Sequence, residues 1–280
     1  VFFMISGYII THTLKLSSGS SFLIRRIFRI YPAFIFASIL EFSVSNHRSS
    51  YDDLIWRLLL LGDIFELPYG LGGVEWTLRI ELYFYMFMYL SKQIKITNEK
   101  HFPIAFCIAS LCLFISGPLP GYGPYRGYIT LYIPVLFIGS CVYIAQHDSR
   151  SRMIGILTIF LLYMIHVQEL TNLGKISTYL RFLNIGMIIW FCSWYFQKLL
   201  IPTFIISLLS NITYSFYLFH NWIGGYISGL VLEATWPWGI YISIVALSAL
   251  LYYTVEVPFI SLGRKLSRDV NGLRWNSSKS

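Results

Sequence analysis

The stretch Phe22-Leu23-Ile24-Arg25-Arg26-Ile27-Phe28-Arg29-Ile30-Tyr31-Pro32 packs three arginines between two apolar runs, Val1 to Ile10 and Tyr31 to Leu40. Read as a helix, it carries Arg26 and Arg29 three positions apart on one face, with Arg25 four positions from Arg29. A cationic cluster between apolar runs is expected where a chain leaves a membrane and turns back into it. Guanidinium forks also suit phosphate oxygens better than the point charge of lysine. Two roles therefore stand side by side: a topology marker beside a span, and a clamp for a phosphate-bearing ligand at the inner membrane surface.

The rest of the composition agrees with a membrane setting. The 280 residues are 56% hydrophobic, 18% aromatic and 12% charged, where globular chains carry roughly 25% charged residues. A polytopic membrane protein fits better than a soluble domain with a large core. The net charge of +8 falls between apolar spans, so it points to the membrane surface and not to nucleic acid. The cysteines Cys107, Cys112, Cys141 and Cys192 lie in apolar runs without a C-x-x-C pair. A disulfide framework or a metal site is therefore not expected.

Apolar segments mark nine crossings: Val1 to Leu14, Tyr31 to Phe42, Trp76 to Leu90, Phe102 to Ser116, Tyr128 to Ala145, Met153 to Val167, Phe182 to Phe196, Thr203 to Ile223 and Ile240 to Ile260. Leu54 to Phe65 is apolar but short of the ~20 residues a span needs, so it reads as re-entrant or interfacial. Ser6-Gly7 is a close-packing point in the first segment. The chain opens at Val1 inside an apolar run and reads as a piece whose upstream part is missing. Most of the 21 Lys and Arg fall on one side of the predicted crossings, against Arg48, Arg57, Arg126, Lys175 and Arg181 on the other. That bias puts the arginine stretch and the C-terminus in the cytoplasm. Backbone polar groups in lipid must be satisfied internally, which makes the predicted fold an all-α bundle.

Charged side chains inside spans are costly and mark candidate sites. Arg79 and Glu81 lie near the start of the third crossing; two residues apart on a helix, they face different ways and are not expected to pair. Glu256 precedes Pro258 late in the last crossing and could answer a cytoplasmic-side arginine. His220 closes Ser210-Asn211-Ile212-Thr213-Tyr214-Ser215-Phe216-Tyr217-Leu218-Phe219-His220, and His12 is a second acid/base candidate. His47 and Asp52 have the spacing of the His-x4-Asp motif of soluble and peripheral glycerolipid acyltransferases, but no glycine-rich block follows and the loop is predicted to face away from the cytoplasm, so the match is read as chance.

Taken together, several blocks resemble the membrane acyltransferase family 3. Phe2 to Ile10 is similar to its "FFxISGFxI" block, and Arg25 to Pro32 to its Arg-x-x-Arg motif with following proline. Trp76 to Tyr85 is similar to "WSLxxExxFY", Ser210 to His220 to "SYSxYLxH", and Val255 to Phe259 to "xExP". The blocks follow family order over almost the whole chain. The resemblance implies an acyltransferase-3-like transmembrane domain over 1–262, lacking its first span, and a basic cytoplasmic tail over 263–280. With that span the nine crossings become ten. It implies a multi-pass protein of the bacterial inner membrane that takes an acyl group, usually acetyl, from acetyl-CoA or another acyl-CoA. The acceptor would be a sugar hydroxyl of an envelope or exported polysaccharide such as lipopolysaccharide or exopolysaccharide. It assigns donor binding or transfer to Arg26 and Arg29, with Arg25 beside them, and site roles to Glu81 and His220. The family's principal histidine is expected in the absent first span. Membrane lipid, acyl-CoA and the glycan are the implied partners, with no metal. The alternative from another class is a transporter or glycan flippase; that reading calls for inverted repeats and midplane charges, and neither is evident.

Overall fold

The computed structural model describes residues 1–44, 51–62, 64–98, 100–195, 204–230 and 237–277. Regular structure among them is helical throughout: α1 (Phe2–Lys15), α2 (Gly19–Val44), α3 (Tyr51–Leu58), α4 (Glu75–Gln93), α5 (Phe102–Ser116), α6 (Tyr128–His147), α7 (Arg152–Asn172), α8 (Ile176–Tyr195), α9 (Phe204–Phe219), α10 (Trp222–Leu230), α11 (Pro237–Leu251) and α12 (Val257–Ser277). A π-turn, Tyr252–Glu256, joins α11 to α12. Four helical stretches are long and apolar enough to cross a membrane: Gly19–Val44, Tyr128–His147, Arg152–Asn172 and Gly239–Arg268. Among the described residues each of the nine predicted crossings overlaps helix, the Thr203–Ile223 segment being divided between α9 and α10, but these four stretches alone meet both conditions. α5 has only 15 residues, and α4 carries Glu75, Arg79, Glu81 and Lys92 within its length.

Two expectations about boundaries are corrected. The arginine stretch is not a turn between spans. It forms early turns of α2, a continuous 26-residue helix with Pro32 inside it, where prolines are tolerated in membrane helices because neighbours re-satisfy the freed carbonyls. The polar C-terminal stretch from Ser261 continues as helix through Ser277.

The chain divides into two compact units. Unit 1 comprises Val1–Phe22 and Ile80–Ile201; unit 2 comprises Leu23–Arg79 and Pro202–Ser280. In unit 1, α6 is the axis: 89% of its apolar window is buried, with α1, α5 and α7 packed against it. Small residues allow the α1–α6 approach. A β-carbon at Gly7 would overlap the Leu136 carbonyl oxygen, and one at Gly139 would overlap that of Met4. Gly7 is thus the close-packing point the sequence suggested. Phe84, Phe87, Phe102, Phe106 and Phe137 fill the adjoining core. In unit 2, α9 packs against α11, and Gly263 of α12 sits against the Phe28 side chain of α2.

Candidate functional site

Unit 2 brings three of the quoted blocks to the arginine turn of α2. Arg26 is 9% exposed, whereas Arg25 and Arg29 are exposed. Arg25 Nε donates to Ser267 Oγ of α12 at 2.9 Å. Tyr214 of α9 donates its hydroxyl to the Ile30 carbonyl of α2 at 2.9 Å. The next residue, Ser215, donates to Oε1 of Glu256. Glu256 is the last residue of the π-turn and is buried; such one-turn irregularities rotate side chains out of the helical register and recur at functional sites. Arg29 lies within electrostatic reach of this carboxylate. Arg29 therefore lies near a buried carboxylate, and Arg25 and Arg29 present exposed guanidinium groups at the start of α2.

His220 follows the end of α9, five residues beyond Ser215, or about 7.5 Å of helical rise. Its Nδ1 lies 2.7 Å from the Tyr217 carbonyl oxygen. A carbonyl only accepts, so Nδ1 carries a proton, which leaves Nε2 as the acceptor atom of the neutral tautomer on an exposed ring. The ring stacks on Phe216 with centroids 6.0 Å apart. Around it, Tyr217 donates its hydroxyl to the Val74 carbonyl at 2.9 Å and lies 2.6 Å from Thr77 Oγ1. Asn221 Nδ2 donates to the Gly72 carbonyl. The Trp76–Tyr85 block and the Ser210–His220 block thus meet at the turn before α4.

Behind that turn lies a charge cluster that the sequence reading did not assemble. Arg57 Nη2 donates to Glu41 Oε2 at 2.7 Å, and its Nε lies 3.7 Å from Glu75 Oε2. Arg79 Nη2 donates to Glu75 Oε1 at 2.6 Å, with both side chains 0% exposed. The Arg79 guanidinium also lies 4.4 Å from the centre of the Tyr69 ring. Glu75–Arg79 is an i,i+4 pair, a spacing that could have been found from the sequence. Glu41 and Arg57 come from α2 and α3, and no local pattern announces their convergence.

Glu81 belongs to unit 1. Its Oε1 accepts from Ser6 Oγ at 2.9 Å and its Oε2 from the Tyr85 hydroxyl at 2.7 Å, so it joins the first block to the third. Arg79 and Glu81 do not pair, as their spacing required. His12 Nδ1 lies 3.3 Å from the Tyr143 hydroxyl, and His147 stacks on the Tyr143 ring at 4.4 Å. Nearby, burial pushes the Lys92 ammonium pKa down, and the charge of Lys15 adds to that shift. Partial burial would raise the Asp148 carboxyl, but hydrogen bonds from Ser151 and the Arg150 N–H, with the Lys15 charge, hold it below the usual carboxylate range. His47 lies outside the described residues, so the His47/Asp52 spacing has no geometry to report; Asp52 sits in the first turn of α3.

A family model described as "Acyltransferase domain" matches residues 1–256. No curated protein matches the chain, and no solved structure matches it.

Proposed function

Because the chain belongs to the membrane acyltransferase family 3, we propose that this membrane acyltransferase moves an acyl group, acetyl in the first instance, from acyl-CoA to a sugar hydroxyl of an envelope or exported polysaccharide. The observation that carries the donor assignment is the uneven charge at the start of α2. Arg25 and Arg29 are exposed and Arg26 is nearly buried, with the Glu256 carboxylate within electrostatic reach of Arg29. Coenzyme A presents three phosphate groups, and clustered guanidiniums are the side chains best fitted to grip them. The bias of Lys and Arg supports a cytoplasmic position for this end and for the C-terminus, the side of a bacterial inner membrane on which acyl-CoA is found.

In this reading Arg26 and Arg29 bind the donor, assisted by Arg25. In its neutral form, with Nδ1–H held by the Tyr217 carbonyl, the exposed His220 takes the proton of the acceptor hydroxyl on Nε2 as that oxygen attacks the thioester carbonyl. The C–S bond breaks, the acyl group ends on the sugar oxygen, and the coenzyme A thiolate leaves to be protonated. Glu81 acts by tying α1 to α4 through Ser6 and Tyr85.

The test is transfer of radiolabelled acetyl from acetyl-CoA by the full-length protein in native membranes. The Arg26→Ala/Arg29→Ala double variant is expected to lose at least 100-fold in transfer while remaining inserted at wild-type levels. Wild-type transfer by the double variant would remove the donor assignment.

A further inference from the structure

We propose that Glu41, Arg57, Glu75 and Arg79 form a buried positioning frame that holds the Gly70–Val74 turn against the His220 segment and thereby sets the place of the histidine; the catalytic consequence rests on the reading of His220 as the base. The frame contains two cations and two anions, so it has no net charge with which to attract a ligand. This separates it from the arginine turn of α2.

The geometry runs in one continuous chain. Glu41 spends one carboxylate oxygen on Arg57 and the other on the Leu71 backbone N–H, at 2.7 Å. Leu71 has φ 54°, a left-handed conformation that a side-chain-bearing residue holds only when its surroundings enforce it. Gly72 and Gly73 follow with φ 64° and 92°. The turn is folded directly over Arg57, where a β-carbon at Gly70 would overlap Nη2, and the segment after α3 packs on Arg79, where a β-carbon at Gly62 would lie 2.6 Å from Nη2. On its other side the turn offers two carbonyls to the histidine segment. Gly72 O accepts from Asn221, and Val74 O accepts from Tyr217 at 2.9 Å. Tyr217 in turn supplies the carbonyl that fixes the His220 tautomer.

A buried ion network is a poor source of stability, because desolvation offsets most of the Coulomb gain; its attested use is to specify one arrangement among several. Here the specified arrangement is a strained turn that no local sequence preference would select. The frame residues are positioning residues and touch no substrate in this account.

The test uses the full-length protein in lipid nanodiscs with His220→Cys, and with Cys112 and Cys192, both exposed, changed to Ser. Labelling of the thiol introduced in place of His220, by a membrane-impermeant maleimide, is timed with and without Glu75→Gln. If that variant does not accumulate, Glu75→Leu/Arg79→Met removes both charges together. At least a threefold change in labelling rate is expected from either. With His220 retained, kcat should fall at least tenfold with KM for acetyl-CoA unchanged. A lower Tm with unchanged labelling and unchanged kcat per folded molecule would reduce the frame to a structural brace and overturn the proposal. The failure of the underlying reading looks different: His220→Gln would retain transfer while the labelling change persisted.

Discussion

Arg29 is exposed on α2 with Arg25 beside it, whereas Arg79 is 0% exposed at the start of α4 with a carboxylate 2.6 Å away. Both arginines belong to unit 2; Arg29 stands in a helix long and apolar enough to cross a membrane, and Arg79 in a segment that the sequence reads as a crossing. The difference lies in what balances them. At the start of α2, Arg25 and Arg29 hold their guanidiniums exposed, open to a ligand. In the frame behind the Gly70–Val74 turn, Arg57 and Arg79 are buried against Glu41 and Glu75, and Gly70 and Gly62 pack closely on the guanidiniums. An arginine in a membrane protein is therefore not informative by its presence; its exposure and its local charge balance separate a binding group from a positioning one.

The largest stability difference between the two regions should come from removing a single frame partner. Glu75→Ala leaves two buried guanidiniums without their shared carboxylate and is expected to cost about 3–5 kcal/mol. Arg29→Ala, at an exposed position, should change stability by less than ~1 kcal/mol. Thermal unfolding of both variants in the same detergent compares them directly, and equal losses would erase the distinction.

A smaller effect is expected at Gly70. Its φ of −84° suits any residue, so Gly70→Ala adds no backbone strain and acts only by pushing on the Arg57 guanidinium. Overpacking of this kind costs about 1–3 kcal/mol, seen as a lower unfolding midpoint. Arg57→Ala should absorb that cost, so that Gly70→Ala adds almost nothing in its presence. Additive losses would mean that the glycine is small for another reason.

Much of this architecture was legible before the structure. The nine apolar segments all fall on helix, Gly7 is a helix-contact point, and Arg79 and Glu81 go to different partners as a two-residue spacing demands. The blocks that resemble the acyltransferase family also converge, with Ser215 on Glu256 and Ser6 on Glu81. What could not be read was the continuity of α2 through its arginines. Charge composition suggested a turn there, but a helix that packs Arg26 inward, with Gly263 of α12 packed against Phe28, carries them without a break. The frame was invisible for a different reason. Glu41 lies 16 residues from Arg57 and 30 from Leu71, and their meeting depends on a turn with consecutive positive-φ residues, which periodicity cannot reveal. Nor did the sequence mark the π-turn that brings Glu256 inward.

The account depends most on α2 gripping the donor, and direct binding tests this without reference to the acceptor. Coenzyme A titrated into full-length protein in nanodiscs should bind wild type and lose at least tenfold in affinity with Arg26→Ala/Arg29→Ala. Added salt should weaken the wild-type affinity, since the contacts are between partly solvated charges. Equal affinity for wild type and the double variant, indifferent to salt, would contradict the assignment of this arginine turn to the donor.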